Sequence, residues 1–541
     1  MLNIKKLTAL LLIASISSLS ACSKGSSNAS KDKNLITVDN GEDAPTIDPV
    51  MTQDTTSSRV LYDLFEGLTS FDQSNHPIPG LAEKWDVSTD GKVYTFHLRD
   101  GLKFSDGSPI TADDVVFSWR RLADPKIASP YINLAANIVN GTAIKEGKTP
   151  LDQLGVKALD AKTVQITLIH PDAAFLQICA MPSTATVSKA NVTKYGQTWA
   201  DPKTMVTSGA YTVGEWVIKG HMLLNKNPNY YDATNVSINQ VNMLPIVDFN
   251  ASFNRYKTGE IDVTFSLPID QYKSIRQDYP TQEHTVTMEG IYYYDLNMTL
   301  PKFRDNLKLR QALSMAVDRD TLVKDVLGQD QVPSYSYVTS TIENGKFADN
   351  RYAWSSWSRA NQINEAKKLF KEAGYSPSHP LEISISYNTM DSHKKIAMAI
   401  ASMWQQVFGA DSIKTTAANQ EWKGFIQARN TANYDVARDG WVADYDSVDT
   451  YTNLFLCKDP LNKPKYCDPA YDQLIRQAQN TPDPDKRIRL IQQALQIAQD
   501  AYVIIPLYQA TYFRLVSPRV SGYTMESNHL NHVMSKWYKL N

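Results

Sequence analysis

The chain has 541 residues, too many for one ordinary core, so two or three lobes are expected. Lys and Arg total 55 against 57 Asp and Glu, a near balance that removes the electrostatic case for a nucleic-acid partner. Its 28 Tyr and 10 Trp supply large contact area for little rotamer entropy, although core filling is the commoner use of such rings.

Residues 1–22 read as a sorting signal. Lys5 and Lys6 form a charged start, and residues 7–19 form an apolar run too short to span a bilayer. Leu19-Ser20-Ala21-Cys22 resembles the lipobox of bacterial lipoproteins. That makes Cys22 the lipidated first residue of the mature chain and residues 23–34 a polar tether. An ordinary cleaved signal with an incidental cysteine is the alternative. Next, LITVDN is strand-like, Thr46-Ile47-Asp48-Pro49 is a turn, and SSRVLYDLFEGL is a helix stopping at Gly67. Turns at Asp90-Gly91 and Ser105-Asp106-Gly107 bracket the alternating run VYTFHL. Thr111 then caps a helix with Asp113 and Asp114 in its first turn. Residues 163–168 alternate as a strand, residues 208–211 turn into another, and Gly259 stops a helix ahead of a strand. Residues 361–374 and 394–408 are amphipathic helices, ended by Gly374 and Gly409. Strands alternating with helices indicate α/β lobes.

The chemically densest stretch is residues 434–449, YDVARDGWVADYDSVD, expected to be the end of a strand running into a loop. A guanidinium (Arg438) and a carboxylate (Asp444), with Gly440 baring backbone between them, suit a zwitterion. A surface loop with a local ion pair has the same composition. Among the cysteines, Cys457 and Cys467 flank a short loop and make a credible disulfide, while Cys179 sits in the apolar FLQICAM as a buried thiol. No CxxC pair and no His/Cys cluster marks a metal, and no cofactor is expected. G-x-S-x-G, H-E-x-x-H and Walker motifs are missing. The acidic run from Asp444 fails as a calcium loop, with Asp449 at position six and Phe455 at position twelve. Binding, not catalysis, is the expectation.

Trp85-Asp86 followed by DGKVYTFHLRDGLKFSDGSPITADDV resembles the signature of the family 5 extracellular solute-binding proteins, receptors that feed ABC importers. DLFEGL, RLADPKIASPY, NPNYYD, INQV, NRYKTGEID, YYYDLN, ALSMAVDRD, YNTMDSHKK, NQEWKGF and YDVARDGWVADYD, in that order, resemble its oligopeptide-receptor branch. The resemblance runs from about residue 45 to the C-terminus. It implies an α/β periplasmic binding protein fold of type II (cluster C), with two ligand-binding lobes, an inserted domain and hinge bending. Lobe I is assigned to 35–66, 186–289 and 511–541, the inserted domain to 67–185, and lobe III to 290–510. It also implies a lipid-anchored monomer outside the cytoplasm that delivers short peptides to a membrane permease and its ATPase. Dipeptide or murein tripeptide receptors of the same fold are the alternative.

By the same resemblance Asp444 takes the peptide α-ammonium, and Arg438 and His393 meet carboxylates. Asn388, Trp422, Arg429 and Trp441 line side-chain pockets, and Tyr131 and Tyr293 add polar contacts. Thr55, Gly440 and Val442 bind ligand backbone, as in strand addition. Gln53 stands where relatives carry a glutamate, Leu327 where they carry a C-terminus-binding lysine, and Val442 with Gly290 where they carry two cysteines. Ala510 replaces a tyrosine, for which Tyr508 or Tyr512 can substitute. The plain alternatives are a solvated helix-start His393, core-filling indoles and structural tyrosines.

Overall fold

The computed structural model describes residues 34–481, 483–523 and 527–541. The expected signal segment, Cys22 and the tether through residue 33 lie outside the described residues.

One four-stranded sheet runs Leu35–Asp39, Gln240–Leu244, His221–Lys226, Tyr211–Val217, with its first pair parallel. Ile36 and Val38 of the first strand enter its core, beside Leu224 and Val241. A second sheet, antiparallel throughout, runs Ala82–Val87, Val93–Leu98, Thr163–Thr167, Val156–Asp160. Alternation sends Tyr94, Phe96 and Leu98 to one face, where they share a core with Val115 and Trp119 of the helix Ala112–Ala123. That helix starts in a capping box: the Asp114 carboxylate accepts the Thr111 backbone N–H at 3.0 Å and its hydroxyl at 2.9 Å.

The third sheet has six strands, ordered Val332–Pro333, Ile504–Leu515, Glu283–Leu296, Val436–Val442, Leu381–Asn388, Ile413–Gln420. Two of them outrun it. Val286 pairs with Tyr512 and Thr287 with Thr511 beyond an irregularity between Thr287 and Ile291. Further along, Phe513 and Leu515 join a separate cluster with Leu244, Ile246 and Tyr272. A bulge interrupts the ladder and concentrates bending there, so the ribbon has a bend point where it leaves the sheet.

Several boundaries move. The helix expected to reach Gly67 is Thr55–Leu64, because the Gly209 N–H takes the Leu64 carbonyl at 2.9 Å and Phe65 is extended. A Cβ on Gly209 would stand 2.6 Å from the Leu64 carbonyl carbon, so glycine permits this approach. Gly259, at φ +75°, follows the helix Phe249–Lys257, but Val263 beyond it makes only isolated bridges to Val38 and Val516. The two later helices start early, as Arg359–Glu372 and Asp391–Phe408. The largest correction concerns residues 438–442, which belong to the strand Val436–Val442 and not to a loop.

Candidate functional site

A cavity of about 280 Å³ is lined by the third sheet together with residues of the 42–62 segment, the inserted segment and the C-terminal stretch, and the thirteen residues singled out as ligand contacts all line it. At its centre is the strand Val436–Val442. Glu283–Leu296 pairs with it along its whole length, from Leu296 opposite Val436 to Gly290 opposite Val442. On the other side Leu381–Asn388 pairs only through Ile385 and Ser386, opposite Val436 and Ala437. From Arg438 onward that edge carries no strand among the described residues, and Gly440 on it is exposed. Packing on two neighbours makes this stretch a strand, despite Ala437, Asp439 and Gly440, which lower its intrinsic preference.

Asp444 stands just past the strand. Its Oδ1 accepts the Tyr131 hydroxyl at 2.9 Å, and no ion pair reaches it among the described residues. Burial raises its pKa to about 7, against the opposing effect of the Tyr131 hydrogen bond. Tyr131 comes from the inserted segment. Its N–H is held by the Ser129 hydroxyl at 3.1 Å, which itself donates to the Val50 carbonyl at 2.6 Å.

Arg438 lies at the opposite end of the free edge, its guanidinium 5.2 Å from the Tyr292 ring centroid and 5.9 Å from that of Trp422. Its Nε is buried without a partner among the described residues. His393, on the first turn of Asp391–Phe408, is only 5% exposed, so it is not a solvated helix-start residue. Its Nδ1 lies 3.1 Å from the Tyr292 hydroxyl and its Nε2 has no partner. Burial first, then Arg438, push its pKa well below the usual 6.5, so the ring is neutral. Asn388 donates to Glu42 Oε1 at 3.2 Å, leaving its own Oδ1 unpartnered. Burial raises the Glu42 pKa to about 7.

Arg429 offers no free charge: it is paired with Asp439 at 2.6 Å, both buried, with Tyr293 alongside. Lys463 donates to Gln53 Oε1 at 2.8 Å, to the Pro460 carbonyl at 2.9 Å and to Asn430, and burial followed by Arg429 lowers its pKa to about 7. Trp441 Nε1 donates to Thr450 Oγ1 at 3.3 Å, whereas Trp422 Nε1 is buried and directed at the Asp54 carboxylate. Thr55 opens the helix whose cap is Asp54; Asp54 Oδ1 accepts the Ser57 N–H at 2.8 Å, and the Trp422 indole faces the same carboxylate. Val442 packs so closely on Gly290 that a Cβ there would lie 2.9 Å from Val442 Cγ2. Leu327, Tyr508, Ala510 and Tyr512 line the cavity too. Sequence reasoning missed Glu42, Tyr292, Lys463 and His532. Only Lys463, inside the cysteine-flanked loop, and Tyr292, in the YYYDLN motif, stood in stretches already marked.

Cys457 and Cys467 form a disulfide, with Cα atoms 4.6 Å apart, and Cys179 is a buried free thiol. The disulfide loop is more than a surface staple, since Leu461 and Lys463 within it face the cavity. Among the described residues no group of three or more His, Cys, Asp or Glu is placed to hold a metal, and no helix is long and apolar enough to cross a membrane.

Residues 76–463 match the model for bacterial extracellular solute-binding proteins, family 5 middle. The chain belongs to the family 5 extracellular solute-binding proteins. Among curated relatives, this family 5 protein is 40% identical to the periplasmic oligopeptide-binding protein OppA of Salmonella typhimurium and 38% to that of Escherichia coli, each over 91% of this chain and 90% of the relative. It superimposes on Haemophilus influenzae OppA in complex with the peptide RPPGFSPFR with a TM-score of 0.91, at 34% identity over 94% of this chain and 99% of that one. Against the E. coli murein tripeptide-binding protein MppA the TM-score is 0.90, over 94% and 99% of the two chains. Against an unliganded open form of MppA, equally 34% identical and covering 94% and 98%, it falls to 0.63. Sequence is constant across the last two comparisons, so lobe arrangement accounts for the difference, and the cavity described above belongs to the closed arrangement.

Proposed function

We propose that this family 5 protein captures short oligopeptides in the closed cavity and passes them to the permease and ATPase of an ABC importer. The observation that carries the reading is the strand edge at residues 438–442, open among the described residues, with a buried carboxylate past one end and, at the other, a guanidinium that no carboxylate pairs among the described residues. A peptide added along that edge is held by main-chain hydrogen bonds that ignore its sequence. Asp444 meets its ammonium, and Arg438 with His393 meets its carboxylate. Four residue steps of about 3.3 Å make an edge of roughly 13 Å, which suits three to five extended residues. Among the described residues, Asn388 Oδ1, His393 Nε2 and Arg438 Nε have no hydrogen-bond partner in the closed arrangement. Such groups cost about 1–3 kcal/mol each when left unmade, so a ligand that satisfies them drives closure.

The proposed lobes are 35–66 with 186–289 and 511–541, then 290–510, with 67–185 inserted, and the hinge lies on the two long strands near Thr287 and Thr511. Lipidation at Cys22 would hold a monomer at the membrane's outer side. Mass spectrometry of ligand retained through purification, then calorimetry on lysine-containing peptides of two to six residues, tests the reading. Affinity should peak at three to five residues and vanish on N-acetylation. A murein tripeptide is the second reading, because the fold fits MppA as well as OppA; tighter binding of that ligand than of any linear peptide would establish it.

A further inference from the structure

Beside Asp444 stands a buried histidine for which nothing above gives a role. His532 lines the cavity, is 4% exposed, and borders the Asp444 main chain. Its backbone is locked: Asn528 Oδ1 accepts the His532 N–H at 3.0 Å, and Asn528 Nδ2 donates to the His532 carbonyl at 2.6 Å. Its ring lies on Phe71 at 4.1 Å and against Tyr62 at 5.3 Å between centroids. Nδ1 is buried with no hydrogen-bond partner among the described residues, and the ring is within hydrogen-bonding reach of the Asp444 backbone. Burial lowers its pKa to about 3, so at neutral pH the imidazole carries a lone pair and no charge, and does not repel a cation. The Asp444 carboxylate cannot by itself accept all three protons of an ammonium in good geometry. Tyr131 already donates to one of its oxygens.

We propose that His532 is a second acceptor for the amino terminus of the bound peptide, so that the ammonium is gripped by Asp444 on one side and by a neutral imidazole of the C-terminal segment on the other. The proposal rests on the reading of Asp444 as the ammonium partner. His532→Phe keeps a ring against Phe71 and removes both nitrogens. In the full chain freed of ligand, calorimetry with trialanine should show a loss of about tenfold or more, the worth of a hydrogen bond to a charged group. Propionyl-dialanine, which lacks only the amino group, should bind the wild type and His532→Phe equally. Unchanged trialanine affinity, or the same loss for both ligands, overturns the proposal. Asp444→Asn separates the two claims: if it binds trialanine like wild type, the ammonium reading itself fails. Should the phenylalanine variant not fold, nitrogen-15 NMR of wild-type His532 decides. Trialanine should shift the unprotonated ring nitrogen and propionyl-dialanine should not, and identical spectra with the two ligands reject the idea.

Discussion

Asp444 shows how a binding residue is held at a cost to the fold. Its carboxyl is pushed up to about 7 by burial, well above the ordinary value near 3.9. A raised carboxyl pKa means the folded chain binds more protons than the unfolded chain between those two values. The destabilisation is therefore absent at acid pH and fully present above about 7. In the closed arrangement Asp444→Asn removes that cost, so the peptide-free variant should hold a larger share of closed molecules than wild type, by a wider margin at pH 8 than at pH 5, read as a smaller radius of gyration in scattering. The same substitution should weaken peptide binding by roughly 2–5 kcal/mol, as when one partner of a buried charge pair is removed. An arriving ammonium offsets this cost by keeping the carboxyl ionised as the lobes close on it.

The disulfide loop is an element whose purpose changes once its neighbours are known. From sequence it is a staple, worth roughly 2–3 kcal/mol by closing a short loop in the unfolded chain. In the fold it also sets the cavity wall. Tyr434 donates to the Lys463 carbonyl at 2.9 Å, Asn462 donates to the Leu456 and Tyr466 carbonyls, and Asp459 accepts Asn133 from the inserted segment. Cys457→Ser should lower the melting temperature and also weaken peptide binding, whereas a simple staple would change the first alone. The strand Val436–Val442 gives a second test. Gly290→Ala places a methyl 2.9 Å from Val442 Cγ2 and 3.1 Å from the Trp441 carbonyl, so it should shift the free edge and reduce affinity, measurable by calorimetry.

For the whole molecule, the balance between open and closed arrangements decides function. Contacts spanning the proposed lobes are modest. Lys395–Asp270 at 2.7 Å and Arg276–Asp330 at 2.7 Å are largely exposed, and such pairs contribute about 0–1 kcal/mol each. Glu42 with Asn388 and Gln53 with Lys463 add hydrogen bonds within the cavity wall. These weak contacts stand against several unpartnered polar atoms, so the chain without peptide should favour the open arrangement. Small-angle scattering should report a smaller radius of gyration when a tight-binding tripeptide is added, and no such change with its N-acetylated form.

The sequence by itself determined the α/β character, most turns and caps, the family and the identity of the charged residues, because these rest on local chemistry and long ordered motifs. Asp444, Arg438 and His393 were legible for that reason. Only the tertiary structure decided that Arg438 and Gly440 lie on a strand with one edge free, that Arg429 is spent on Asp439, and that Glu42, Lys463 and His532 share the wall. Those facts arise from residues hundreds of positions apart meeting across a closed cleft, where pairing and burial, rather than any local pattern, fix conformation and charge.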